Sequence, residues 1–464
     1  MNETPIAAIQ RTSLMKKILL PAGMILAVVI ALAFSLPAAR VQADYTVHEW
    51  GTFTSVAGGD GKLLEWTPQV TSELPGFVHA WSRPGLNRYG TSRYINKGDM
   101  VTLQRLETPV IYFYSKTNLA VEVSVDFPKG VITEWYPQAS QIGPSRPAGT
   151  NPPVTRTTLA ESRAVWKNLH VAPAPEKLPN PALTLPEDKK GSHYFAARAT
   201  TANYLQMDFP GASNAPSEIE KFIFYRGAGG FQTPLRVTVN DASDVAVENS
   251  GGQKLSHLIL ASIHNGQGAF AVMDELPAGK SAAWLNLNTS DVGKWKHIAL
   301  PDFQNEIVAQ MESALTGDGL FADEAKAMVN TWKDSWFTEE GERVLYILPR
   351  TWTDEILPLM LNPSPTNLTR VMVGRAEIIT PAAEKHLRED LVKVQKNHSQ
   401  SPNQVEADLV ADLRAFGRFA PPALNLIISH GGSATAFSIG QTFLSVANTK
   451  ESAAESARVP AKFE

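Results

Sequence analysis

The chain has 464 residues, of which 43% are hydrophobic and 19% charged, so it is long enough for two or three domains and too apolar to be disordered. The formal net charge is −4, and Lys and Arg are spread along the sequence, which argues against nucleic acid as a partner. Cysteine is absent, which excludes disulfides, thiolate catalysis and Cys-ligated metals and favours a bacterial envelope over a eukaryotic secretory route.

Residues 1–43 have the three parts of a secretory signal peptide. Positive charges come first, at Arg11, Lys16 and Lys17, and residues 18–39 then carry no charge. Residues 41–43 (Val-Gln-Ala) fit a small-x-small cleavage site. We therefore predict a signal peptide over residues 1–43 and a periplasmic or secreted location. The uncharged run is longer than usual, so an uncleaved N-terminal membrane anchor is the alternative, and only then would a membrane be a partner.

Residues 44–298 carry the pattern of a β-rich domain. Short aromatic and β-branched runs, such as 108–115 and 120–128, are separated by turn residues at regular spacing. In the second run Val121, Val123 and Val125 alternate with polar residues, as in a strand with one buried face. We predict a mainly β protein, with a β-sandwich or jelly-roll-like domain over 44–298.

Three further segments complete the predicted organisation. Residues 137–190 are rich in Pro, Ser and Thr, which predicts a surface excursion or lid within the β domain. Residues 299–430 change to helical spacing and keep two strand-like runs, which predicts a mixed α/β, largely helical C-terminal domain. Residues 431–464 are rich in Ser, Ala and Gly, which predicts a disordered tail.

The run VHEWGTFTSV at 47–56 places an acid in an apolar environment. On a strand, Glu49 shares a face with Val47 and Phe53, so its carboxylate is expected to be poorly hydrated. The Glu-Trp pair recurs at 65–66 and 134–135, and Glu134 is expected to share a face with Ile132 and Tyr136. A poorly hydrated acid is a candidate for proton transfer, because burial shifts its pKa.

Two inward carboxylates beside indole rings are typical of the active site of a glycan-cleaving enzyme. Glu49 and Glu134 are the candidate catalytic acid and base or nucleophile, and the candidate substrate-binding rings are Trp50, Trp66 and Trp135. The alternative is a purely structural role, in which each glutamate pairs with an arginine and each tryptophan lies in a core. A third alternative is a divalent metal bound by His48 and His79; no other cofactor is expected.

Several blocks of the chain resemble a family of exported bacterial proteins. The blocks are HEWGTFTSV near the predicted mature N-terminus, 107–115, 132–137, 221–227 and 334–337. The resemblance implies export and a shared fold, and it assigns no catalytic residue. The sequence therefore leaves an exported bacterial envelope hydrolase acting on glycans, or a non-enzymatic envelope protein that binds a glycan, a metal or a partner. A third hypothesis is metal-dependent oxidation or hydrolysis through His48 and His79.

Overall fold

The computed structural model describes residues 42–68, 74–80, 100–143, 162–178, 180–188, 192–208, 217–289, 295–397 and 404–457. The signal peptide or anchor expected over 1–43 lies outside the described residues, except for its last two positions. The residues from Gln42 onward form one compact unit. No helix in the described ranges has the length and apolar character needed to cross a bilayer.

The strands of the described chain are short to medium in length, apart from the long first and last ones. In order they are β1 (Gln42–Gly58), β2 (His79–Ala80), β3 (Gln104–Tyr114), β4 (Leu119–Phe127), β5 (Gly130–Tyr136), β6 (Gln141–Gly143), β7 (Ser162–Val171), β8 (Leu205–Met207), β9 (Glu218–Glu220), β10 (Ile223–Gly229), β11 (Leu235–Val239), β12 (Asp244–Asn249), β13 (Leu255–His264), β14 (Gln267–Leu276), β15 (Ser281–Asn286), β16 (Ile298–Ala299), β17 (Gly341–Leu348), β18 (Leu359–Asn362) and β19 (Ser364–Ile379).

The α-helices of the described chain all lie after residue 299. They are α1 (Leu300–Gly317), α2 (Ala322–Phe337), α3 (Arg350–Ile356), α4 (Pro381–Asn397), α5 (Gln404–Phe416), α6 (Ala420–Ser429) and α7 (Ala434–Ala457). Two 3-10 helices cover His193–Arg198 and Gly417–Phe419. With 42% strand and 30% helix, the prediction of a mainly β protein is confirmed.

A ten-stranded sheet organises the fold. Its strand order is β16-β14-β13-β17-β19-β1-β3-β10-β5-β2. The strand β1 lies in the interior of this sheet, parallel to β19 and antiparallel to β3. Two smaller sheets accompany it, one with the order β11-β12-β15 and one with the order β18-β4-β7-β8-β9, in which β6 also pairs with β7.

The alternation along β1 divides its side chains between two cores. Val47 and Phe53 belong to a first core, which they share with residues of the two smaller sheets. Trp50 points to the opposite face and belongs to a second core, which includes Met328 and Trp332 of α2. Because successive side chains of a strand point to opposite faces, β1 contributes residues to both cores.

A third core joins the C-terminal helices to the end of the large sheet. Val56 of β1 and Ile379 of β19 pack with apolar residues of α4 to α7, such as Leu387 and Leu413. The largely helical C-terminal region is thus confirmed in part. Its strands β17 and β19 belong to the large sheet, so the sheet continues across the boundary expected at 298/299.

The structure corrects two expectations about loops. The segment 137–190, expected to be a surface excursion or lid, contains β6 and β7. The strand β7 pairs with β4 in the sheet of order β18-β4-β7-β8-β9. Its residues 144–161 lie outside the described residues. The tail expected to be disordered from 431 contains α7, in which Ala436 and Leu444 are buried against the third core.

Candidate functional site

Glu49 is buried in the middle of β1 and is bonded to an arginine. Its Oε2 accepts a hydrogen bond from Nε of Arg370 at 2.5 Å, and its Oε1 accepts one from the hydroxyl of Tyr225 at 2.6 Å. Burial alone would lower the pKa of Arg370, but the charge of Glu49 raises that pKa above its ordinary value. Arg370 also donates to Asp354 at 2.8 Å, which extends the network toward the surface.

Glu134 is equally enclosed and makes a two-point ion pair. Arg226 donates from Nε to its Oε2 at 2.8 Å and from Nη2 to its Oε1 at 2.9 Å. The hydroxyl of Thr133 also donates to this carboxylate. Only 1% of Glu134 is exposed. A parallel pair of N–H···O bonds to a guanidinium is a strong and directional arrangement, which leaves this acid fully engaged.

The structure does not bring the two carboxylates together. The strands β3 and β10 lie between β1 and β5 in the large sheet. Glu49 shares its face with Val47 of the first core, whereas Glu134 shares its face with Tyr136 of the second core. The register of β5 shifts between Ile132 and Glu134, so the expectation that Ile132, Glu134 and Tyr136 share one face is wrong.

The three tryptophans proposed to receive a sugar ring are buried. Trp50 lies in the second core and Trp135 in the first core. Trp66 packs on Phe419 in the third core, with ring centroids 5.4 Å apart, and donates to a backbone carbonyl. None of the three presents a ring face at the surface, so their placement corresponds to the core alternative.

His48 and His79 also lie apart, and each contacts its own glutamate. Nδ1 of His48 lies 2.7 Å from Glu324 at the start of α2, and the same carboxylate accepts a hydrogen bond from the hydroxyl of Tyr114. Nε2 of His79 lies 2.7 Å from Glu218. Since β3, β10 and β5 lie between β1 and β2, the two imidazoles are not arranged around a common ion.

A different group of metal-ligating side chains converges between α4 and α5. One ligand atom from each of His386, Asp390 and Asp412 lies within 4.8 Å of the others. Nε2 of His386 is 3.4 Å from Oδ2 of Asp412 and 3.8 Å from Oδ2 of Asp390. The side chain of His386 is 63% exposed, so the group opens to solvent on that side.

Helix geometry explains this convergence. Pro381 occupies the first helical position of α4, and the hydroxyl of Thr380 accepts a hydrogen bond from the backbone N–H of Ala383. With the start of the helix fixed, His386 and Asp390 lie one turn apart on the same side. Buried leucines on both helices hold α5 against α4 and thereby bring Asp412 to this surface.

The two aspartates differ in their charge environment. Burial, a hydrogen bond with Asp390 and nearby negative charges raise the pKa of Asp412 to about 6. Burial would raise the pKa of Asp390, but hydrogen bonds from Lys393 and Asp412 lower it. Oδ2 of Asp412 is enclosed and lies 3.4 Å from Nε2 of His386. Two adjacent carboxyl groups with one neighbouring ammonium favour the uptake of a further positive charge.

The sequence contained half of the signal for this group. The spacing His-x-x-x-Asp within a helix that begins at Thr380-Pro381 is the pattern of two ligands on one helical face. Asp412 could not be assigned to the same place, because its position depends on how α5 packs on α4. The sequence reasoning therefore missed all three residues.

Comparisons with known proteins do not classify the chain. No protein-family model matches it, and no curated protein sequence matches it. The resemblance to exported bacterial proteins that open with HEWGTFTSV therefore stays a prediction. The fold and the candidate site define only a mainly β protein with a helical C-terminal region, which carries a cluster of one histidine and two aspartates.

Proposed function

We propose that the protein is an exported, non-enzymatic envelope protein that binds a divalent metal ion through His386, Asp390 and Asp412. The observation that carries the proposal is the convergence of an imidazole nitrogen and two carboxylate oxygens within 4.8 Å. Export is inferred from the pattern of residues 1–43, which combines a positive start, an uncharged run and a cleavage-like site.

The binding hypothesis is favoured over hydrolysis by the state of the two candidate acids. Glu49 and Glu134 each make an ion pair with a buried arginine. A carboxylate that donates or accepts a proton in a glycosidase has to reach the leaving oxygen or a water molecule in an open cleft. The burial of Trp50, Trp66 and Trp135 likewise removes the rings on which a glycan was expected to stack.

The donor set indicates which class of ion the site would prefer. One imidazole and two carboxylates suit Zn²⁺ and similar transition-metal ions, whereas Ca²⁺ and Mg²⁺ prefer oxygen ligands alone. The exposure of His386 leaves room for water to complete the coordination. Lys393 donates to Oδ1 of Asp390 at 2.6 Å, so its ammonium competes with the incoming ion for that carboxylate.

The sandwich or jelly-roll architecture expected for the β domain also belongs to the proposal. The ten-stranded sheet and the two smaller sheets contribute to one hydrophobic core, which supports face-to-face packing of sheets. Helices α1 and α2 contribute to the core on the other face of the large sheet. The sandwich is therefore proposed as the inner part of a layered molecule.

Isothermal titration calorimetry with zinc chloride tests the proposed function. We expect the mature protein to bind about one equivalent of Zn²⁺, and His386→Ala and Asp412→Asn to weaken binding by at least about tenfold. His170→Ala is the matched control, because His170 is also an exposed histidine within 3.8 Å of an aspartate, Asp208. Circular dichroism of each variant checks that the fold is retained.

Two results would remove the proposal. One is the absence of binding to the natural protein. The other is equal affinity in His386→Ala, Asp412→Asn and His170→Ala, which would mean that Zn²⁺ binds to scattered surface groups. Turnover of a glycan by the natural protein that Glu49→Gln abolishes would restore the hydrolase hypothesis instead.

A further inference from the structure

A small cavity lies between helix α3 and the loop that joins β12 to β13. Its volume is about 130 Å³, and α3 contributes Trp352 and Glu355 to its lining. These two residues are three positions apart, so they are neighbours on one face of the helix. The loop contributes Gly251, Gly252 and Gln253. The cavity therefore has one wall with an indole and a carboxylate and another wall formed by a glycine-rich loop.

The indole of Trp352 is held in place by the first core. Its ring centroid lies 5.6 Å from that of Phe53 and 5.9 Å from that of Phe231. Unlike the three tryptophans that were first considered for a glycan, Trp352 is only partly buried. Because the ring is fixed and lines a cavity, it offers an aromatic surface that a ligand can contact.

Hydrogen bonds fix the loop on the other wall. The backbone N–H of Ser250 donates to the carbonyl of Pro234 at 2.9 Å. Nδ2 of the buried Asn249 donates to the carbonyl of Gln253 at 2.8 Å. The hydroxyl of Thr351 donates to Oε1 of Gln253 at 2.5 Å, which ties the loop to α3. The cavity is therefore preformed, as small-molecule sites usually are.

The polar groups at the cavity include both donors and acceptors, and their charge is balanced. Because Oε1 of Gln253 accepts from Thr351, the Nε2 group of this amide remains as a donor. Glu355 supplies carboxylate oxygens, and its Oε1 lies 3.2 Å from Nζ of Lys129. A paired carboxylate and an amide favour a neutral ligand that donates and accepts hydrogen bonds over a free ion.

The size of the cavity limits the ligand to about one ring. A cavity of about 150 Å³ holds a benzene molecule. The volume here is about 130 Å³, and the cavity opens at the exposed Gly252, so a six-membered ring can enter partway. Pro234 and Pro349 add apolar lining. A pyranose ring has this size, carries hydroxyl groups, and presents C–H groups that pack against an electron-rich indole.

We propose that this cavity binds one residue of a neutral glycan, with the sugar ring against Trp352 and its hydroxyl groups bonded to Gln253 and Glu355. Among the described residues that line the cavity, Glu355 is the only acid. Glycoside hydrolysis normally uses a pair of carboxyl groups, so the cavity binds a sugar without cleaving it. The proposal does not depend on the metal group on α4 and α5.

Saturation-transfer difference NMR on the mature protein tests this inference. The probes are the methyl β-glycosides of glucose and of N-acetylglucosamine, whose equatorial substituents leave C–H groups on both ring faces. We expect dissociation constants on the order of 1 mM, since each ligand is small. Saturation should be strongest for the protons on one face of the ring. An absence of saturation transfer to both sugars would overturn the inference.

Gly252→Leu is the variant that fills the cavity. A Cβ at Gly252 would meet no heavy atom of the described chain within 4 Å, and the φ of Gly252 is not positive. The leucine is therefore accommodated without strain in the loop, and we expect it to weaken sugar binding at least about tenfold. Gly317→Leu, at the exposed end of α1, is the matched control and should leave binding unchanged, because a Cβ there meets only Nε2 of His257 at 3.9 Å.

Two results from the variants would overturn the inference. One is equal sugar binding by Gly252→Leu and the natural protein. The other is binding of a proline-rich peptide, in place of the sugars, that Gly252→Leu abolishes. Circular dichroism checks the fold of each variant. If Gly252→Leu does not fold, crystals of the natural protein soaked in the glucoside decide: density for the sugar ring beside Trp352 supports the inference, and its absence there overturns it.

Discussion

Glu49 and Arg370 depend on each other, because both are buried and charged. The carboxylate accepts a hydrogen bond from Nε of Arg370, and neither side chain has exposed surface. Desolvation of two charges is costly, and only their mutual attraction and further hydrogen bonds offset it. Removing one partner leaves the other charge without a counter-charge in the interior. Such substitutions cause a large loss of folding stability.

We therefore predict that Glu49→Gln destabilises the protein by about 3–5 kcal/mol, measured by urea unfolding at neutral pH. The double variant Glu49→Gln/Arg370→Met should regain part of the loss, because it removes both charges. Glu122→Gln, on the exposed side of β4, is the control and should change stability by less than about 0.5 kcal/mol. A Glu49→Gln variant as stable as the natural protein would contradict the structural role.

The sequence predicted the environment of Glu49 better than its chemistry. Alternation along VHEWGTF was sufficient to place the carboxylate among apolar residues, and it is fully buried. Its partner Arg370 lies 321 positions later, and no local pattern links the two. The same limit applies to Asp412, whose approach to His386 depends on the packing of two helices.

At the scale of single elements, the hairpin of β13 and β14 carries a pH-sensitive contact. His264 ends β13, and its Nε2 lies 2.5 Å from Glu342 of the neighbouring strand β17. The hydrogen bond to Glu342 raises the pKa of His264, burial opposes this, and the charges of Glu342 and Glu340 add to the rise. The protonated form is thus favoured in the folded state.

A raised pKa in the folded state has a defined effect on stability. The contribution of His264 is fully present below its unfolded pKa of about 6.5 and is lost as pH rises through the higher folded value. Because the imidazole is 44% exposed, we expect its contribution to the free energy of unfolding to be less than about 1 kcal/mol. Urea unfolding of the natural protein and of His264→Gln between pH 5.5 and 9 measures this.

In that comparison, the difference in unfolding free energy between the natural protein and the variant should shrink as the pH rises. Glu342→Gln should weaken the same pH dependence, because it removes the largest cause of the raised pKa and leaves only the smaller effect of Glu340. A difference that stays constant over the whole range, or that grows with pH, would contradict the assignment.

Elements with a regular pattern were predicted, and irregular ones were not. The alternation of Val121, Val123 and Val125 corresponds to β4, and the helical spacing that begins after residue 298 corresponds to α1 and α2. The strand β7 was missed because it lies within a segment whose Pro, Ser and Thr content indicated a loop. The prediction that Glu134 shares a face with Ile132 was wrong, because a register shift in β5 breaks the period of two.

At the scale of the whole molecule, strand order was beyond the reach of the sequence. The parallel pairing of β1 with β19 joins residues from opposite ends of the chain, and β17 and β19 lie between β13 and β1 in the large sheet. Such pairings depend on long-range packing rather than on local propensity. A mainly β protein could therefore be predicted, but a sheet continuous across residue 298 could not.

The same scale separates the layered β structure from the proposed binding site. The candidate catalytic residues Glu49 and Glu134 lie within the large sheet, whereas the three residues proposed to bind a metal lie on α4 and α5. Because α4 follows β19 directly, the sheet provides a rigid support for the helical site. We therefore propose that the ion pairs of the sheet stabilise the protein and that the C-terminal helices bind the metal ion.

Anomalous diffraction at the zinc edge, on crystals of the mature protein soaked in zinc chloride, tests this assignment most directly. The account predicts an anomalous peak bonded to Nε2 of His386 and to carboxylate oxygens of Asp390 and Asp412, at about 2.0–2.2 Å. An anomalous map with no peak between these residues, or with its strongest peak at His48 or His79, would contradict it.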